Sequence, residues 1–180
     1  MTIHSAKHDE SSRQFDIALS NRQSRQPVND EQLCDAVRAV LRDSTFTSAT
    51  ISIAVVDDSS IRELNRRYLD HDWPTDVLSF VLDERADHLE GEVIISADTA
   101  ATAAAEAGWP AAAELLLYVI HGTLHLIGYG DKSPADARRM RAAEEKYLGQ
   151  LGFQTSQSND NSAGPDILAA NRARGGATAR

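Results

Sequence analysis

The chain has 180 residues, 42% of them hydrophobic and 25% charged, a balance that excludes a disordered or fibrous protein and fits one domain with an ordinary core. A formal net charge of −9 excludes a broad cationic footprint for nucleic acid while leaving room for a local basic groove. Cys34 is the one cysteine and can make no internal disulfide; with no apolar leader and no run long enough to span a bilayer, the chain is expected in the cytoplasm and not in a membrane.

Residues 1–14 read as a flexible lead. Phe15, Ile17 and Leu19 alternate with smaller or polar residues, the period of a half-buried strand. Leu33, Val37, Val40 and Leu41 then fall at helical spacing behind Asn29 or Asp30 as cap. Ile51, Ile53 and Val55 predict a second strand. A short helix follows, with Ser60 and Glu63 as a capping box and Ile61, Leu64 and Tyr68 on one face; its arginines, Arg62, Arg66 and Arg67, lie off that face. Past Pro74, residues 76–81 form a third strand, and the continuous apolar run within 91–96 predicts a fourth, central one.

The alanine-rich stretch 99–107 predicts a helix stopped by Gly108, and Pro110 opens the next helix at its first position. That helix, running to about Leu126, is apolar nearly all round and therefore buried. Ser133 and Pro134 start a last helix reaching about Leu148, with Arg138, Arg139 and Arg141 clustered on it. Residues 154–180, poor in large apolar side chains, are expected to be a disordered tail, so 15–153 forms the domain.

The buried helix carries His121 and His125, one turn apart on one face, where both imidazoles can reach a single cation. Gly128 can end the helix in a left-handed conformation and return the chain so that Asp131 approaches them. A lone histidine on an apolar helix is ordinarily a satisfied core residue. A pair followed by a glycine turn and an acid is harder to bury without a partner, and two imidazoles plus a carboxylate suit zinc with a fourth position left for water.

Three segments then resemble the YbeY family of bacterial metal-dependent endoribonucleases: residues 64–80, from Leu64-Asn65-Arg66-Arg67-Tyr68 to Ser79-Phe80; residues 91–96; and residues 121–129. The resemblance implies an α+β domain, a small mixed four-stranded sheet packed with about five helices and a zinc-binding histidine helix in its core. It implies cleavage of single-stranded RNA in ribosomal RNA processing, with precursor RNA and the ribosome or its small subunit as partners. The nucleophile would be a water on the metal, so no side chain is assigned as catalytic; Glu92 and Asp76 are candidate bases only through their nearness to the matching segments.

Two positions depart from the family pattern. Asp131 stands where the family usually has a third histidine, and a carboxylate keeps three ligands while lowering the charge by one. Leu69 stands where an arginine commonly contacts RNA phosphate, which makes Arg66, with Arg67 beside it, the expected replacement. Two other functions compete. A zinc protease shares the histidine spacing but needs a glutamate after the first histidine, where this chain has Gly122. A ribosome-associated RNA-binding protein with a non-catalytic metal site is the other.

Overall fold

A computed structural model describes residues 13–153 and 177–179 of the protein. Of the expected lead, only 13 and 14 are described, and of the expected tail only 177–179; the rest of both expectations lies outside the described residues. The elements run β1 (Gln14–Asn21), α1 (Asp30–Arg42), β2 (Ser48–Val56), α2 (Asp58–Leu69), β3 (Val77–Glu84), β4 (His88–Ser96), α3 (Ala97–Ala107), α4 (Ala111–Leu126), α5 (Pro134–Gln150) and β5 (Ala177–Ala179).

The four strands expected from the sequence form the body of one mixed sheet, in the order β1-β2-β4-β3, and the three-residue β5 adds to its β3 edge. β1 and β2, and β2 and β4, pair in parallel, while β3 lies antiparallel to β4. β4 is therefore internal, and its Val93, Ile94 and Ile95 can be apolar on both faces. Alternate residues separate two cores. Val77, Val93 and Ile95 join the large one with α1, α3, α4 and α5, whereas Leu78, Ile94 and Val56 face the other way and pack with Ile61 of α2.

Helix ends follow local chemistry. Asn29 caps α1, Ser133 caps α5, and Gly108 closes α3 at a φ of 69°. α2 differs from expectation. Its cap is Asp57, whose carboxylate accepts from the Ser60 N–H at 2.7 Å, and Glu63 pairs instead with Arg66. An ionised carboxylate at the positive end of a helix outcompetes a serine hydroxyl three residues on. Pro110 likewise precedes α4 as its cap residue rather than occupying the first turn.

Every residue of α4 from Ala113 to Leu126 is buried. Its approach to the sheet is closest at Gly122, where an added Cβ would lie 2.7 Å from Val93 and 2.9 Å from both Ser79 and Val77. Ser79 Oγ donates to the Gly122 carbonyl at 3.1 Å, tying helix to strand at that point. A Gly122→Ala variant is expected to lose about 1–3 kcal/mol of stability through overpacking, measured as a lowered urea midpoint.

At the other end of α4, Glu114 is fully buried and accepts a hydrogen bond from the Trp109 indole at 2.6 Å. Burial pushes its pKa up from 4.5 to about 7, against the lowering effect of hydrogen bonds from Trp109 and Tyr118. Between those two values the folded chain holds a proton that the unfolded chain has released, so stability falls as pH rises across this window and levels off above it. The fall is expected to be of order 3 kcal/mol and to vanish in Glu114→Gln, as read from denaturant melts between pH 4.5 and 8.

Candidate metal centre

The C-terminal turn of α4 builds the site. Ile127 is the cap residue and Gly128 follows at a φ of 95°; the Tyr129 N–H returns to the Leu124 carbonyl at 2.9 Å and the Gly128 N–H to His125 at 3.0 Å. This paired return is the motif that a left-handed glycine permits. It turns the Tyr129 carbonyl back onto the helix, where it accepts from His125 Nδ1 at 2.9 Å. It also carries the chain round to Asp131, whose Oδ2 stands 3.6 Å from His125 Nε2.

His121 is held from the opposite side by α5. Its Nδ1 lies 2.6 Å from Glu144 Oε1, and both side chains are buried. The Tyr129 carbonyl can only accept, so His125 carries a proton on Nδ1 and a neutral ring presents its Nε2 lone pair; an ionised Glu144 would set His121 in the same way. The two Nε2 atoms face one another at 2.9 Å, with the rings nearly perpendicular. Either one ring donates to the other across this contact or both turn lone pairs to a shared cation, a proton or a metal ion. Burial, and next the unfavourable prospect of a second positive charge beside the His121 ring, pushes the His125 pKa down to about 4, which keeps this imidazole neutral and able to act as a ligand near pH 7.

His121, His125 and Asp131 thus form a group whose donor atoms all lie within 4.8 Å of one another. Two donors on one ion with bonds of ~2.1 Å can be no more than ~4.2 Å apart. The 2.9 Å and 3.6 Å separations from His125 Nε2 meet that limit and the third pair lies within 4.8 Å, so the group could hold a metal ion.

Other residues singled out in the sequence fall elsewhere. Arg66 and Arg67 are on α2, which covers the sheet face opposite α4; Arg66 is bound to both oxygens of exposed Glu63, and Arg67 lies over the Tyr68 ring. Leu69 packs against the apolar cluster beneath α2. Glu92 lines a groove on the same outer face, with Tyr68 and Phe80. Asp76 accepts from the Val77 N–H and Thr75 and acts electrostatically on Glu114, about 16 Å along α4 from His125. Neither candidate base stands with the imidazoles. Beside the site, a groove of about 570 Å³ runs between the 127–130 turn and α5, lined by Tyr129, Arg139, Lys146 and Tyr147.

Sequence reasoning missed Glu144 and the Tyr129 carbonyl. The first left a signal: a glutamate on the stripe formed by Met140, Ala143, Tyr147 and Leu148, all buried, is a charge on an inward face. The second left none, because any residue supplies a carbonyl.

The family described as Endoribonuclease YbeY matches residues 18–152. A relative named Endoribonuclease YbeY from Syntrophotalea carbinolica is 42% identical over 142 residues, 75% of this chain and 95% of its own length. One of the same name from Moorella thermoacetica is 37% identical over 155 residues, 78% of this chain and 99% of its own. The solution structure of a Thermotoga maritima protein superposes with a TM-score of 0.52 at 23% identity, covering 83% of this chain and 99% of that one, which supports the fold.

Removing either imidazole leaves two donors and a buried partner without its contact. His121→Ala and His125→Ala are each expected to lower divalent-ion affinity by more than ~100-fold, since losing an orienting partner alone costs ~10–100-fold. Titration against a chromophoric chelator measures this; retention of parental affinity by either variant would remove the site.

Proposed function

Because the chain belongs to the Endoribonuclease YbeY family, we propose that it is a zinc-dependent endoribonuclease cutting single-stranded RNA, acting on precursor ribosomal RNA at the small ribosomal subunit in the cytoplasm. The observation that carries this reading is the convergence of His121 and His125 Nε2 with Asp131 at the end of a buried helix. Three protein donors suit a catalytic rather than a four-ligand structural zinc. When bound, the ion would polarise a phosphoryl oxygen and lower the pKa of a water molecule to ~7. The chain's part is to hold the two imidazoles in one tautomer, to keep Asp131 at the rim, and to exclude bulk water with α4 and α5. No helix among the described residues is long and apolar enough to cross a membrane.

The protease reading loses further ground on packing. The residue after His121 faces Val93, Ser79 and Val77 of the sheet, so a glutamate there would meet the strands rather than a substrate. RNA contact by Arg66 and Arg67 belongs to the same proposal. Their present partners, exposed Glu63 and the Tyr68 ring, cost little to exchange for phosphate.

The purified chain is expected to cleave a single-stranded RNA, to stop on addition of chelator and to recover on adding zinc. An Arg66→Ala, Arg67→Ala pair should weaken RNA binding and reduce the dependence of log affinity on log salt by about 0.7 per lost phosphate contact. Zinc binding with RNA binding but no cleavage would favour the ribosome-associated binding protein. An unchanged salt slope would remove the arginines from the RNA site.

A further inference from the structure

We propose that Glu144 is a positioning residue of the metal centre, which fixes His121 in its ligand tautomer; this rests on the reading that His121, His125 and Asp131 hold a divalent ion. The carboxylate is 2% exposed and its Oε1 lies 2.6 Å from His121 Nδ1. It has been placed there at a cost, because desolvating a carboxylate costs several kcal/mol and an apolar side chain could pack on the same stripe as Met140, Ala143 and Tyr147.

The geometry explains what that cost secures. Glu144 reaches one ring nitrogen of His121 while the other faces His125 Nε2, so whatever it does to the imidazole is delivered to the donor atom. As an acceptor it keeps the proton on Nδ1 and the lone pair on Nε2. As an anion it makes that lone pair more basic. His125 receives the first service from the Tyr129 carbonyl, which is neutral. The two ligands are thus oriented alike, His121 by a carboxyl side chain and His125 by a backbone carbonyl.

A buried pair with a merely structural role would leave metal affinity unmoved when replaced. Three variants of the full chain separate the two roles: Glu144→Leu removes acceptor and charge, Glu144→Gln keeps an acceptor, and Glu144→Asp keeps the charge but shortens the reach. Zinc affinity, by competition with a chromophoric chelator, is expected to fall ~10–100-fold for Leu and for Asp and by less than ~10-fold for Gln. Long-range proton–nitrogen correlation on the metal-free proteins reads the tautomer directly, and should show His121 protonated on Nδ1 in the parent and in Gln but not in Leu. Should Leu fail to fold, Asp and Gln carry the comparison. Parental zinc affinity in all the folded variants, or an unchanged His121 tautomer in Leu or Asp, overturns the proposal. A parent chain that binds no zinc overturns the metal reading and this proposal with it.

Discussion

The site depends on one constraint: a helix buried over its whole length must carry two imidazoles without leaving their polar atoms unsatisfied. Burial of α4 supplies rigidity, since neighbours on every side fix its position to the precision that a first coordination shell needs. Burial also sets the problem, because four ring nitrogens cannot be left bare. The protein spends one nitrogen of each ring on an orienting partner, Glu144 or the Tyr129 carbonyl, and turns the other towards its neighbour. Those remaining nitrogens meet at 2.9 Å, and with Asp131 they form a group that could hold a metal ion. The candidate site thus follows from how the core is satisfied.

Packing places that pair. Gly122 lets α4 approach β3 and β4 more closely than any side chain would, and Ser79 fixes the level of contact. The same glycine that removes a protease's base from the motif is therefore a structural requirement at the helix–sheet interface. Gly128 does the complementary work one turn later. Its left-handed conformation ends the helix and brings two separate groups to His125, a backbone carbonyl and the Asp131 carboxylate.

Much of this was legible in the sequence because it was written in spacing. The i, i+4 histidines, the glycine stop and the acid three residues beyond are periodic or local signals, and the four main strands and five helices announce themselves by alternation and apolar stripes. What escaped depends on contacts between distant segments. Glu144 meets His121 across 23 positions, and its signal was only a charge on a buried stripe. Asp57 outranked Ser60 as the α2 cap because a carboxylate binds helix N–H groups more strongly, a choice the capping pattern alone does not decide. The arginines of α2 look adjacent to the motif in sequence, yet the alternation of β3 and β4 puts that helix on the far face of the sheet.

Charge then ties the two departures from the family pattern together. Asp131 sets a carboxylate beside two imidazoles, so a divalent ion held there would attract a polyanion less than it would with a third imidazole in that place. Leu69 likewise makes an apolar contact with the cluster beneath α2 and offers no charge to a phosphate. Both changes lower the pull on phosphate in a chain whose net charge is already −9. An RNA strand approaching this centre must therefore draw its electrostatic attraction from side chains around the site rather than from the ion. Those beside the groove next to it are in exposed ion pairs: Arg139 with Asp136 and Lys146 with Asp43. Exposed pairs are worth at most about 1 kcal/mol, so each can trade its carboxylate for a phosphate at small cost. Binding built on such exchanges gains less per contact than binding by free cations, because a carboxylate must be displaced each time. A carboxylate among the metal-site donors and paired cations beside it thus favour a substrate held at many points along its backbone over one held by a single strong contact at the site.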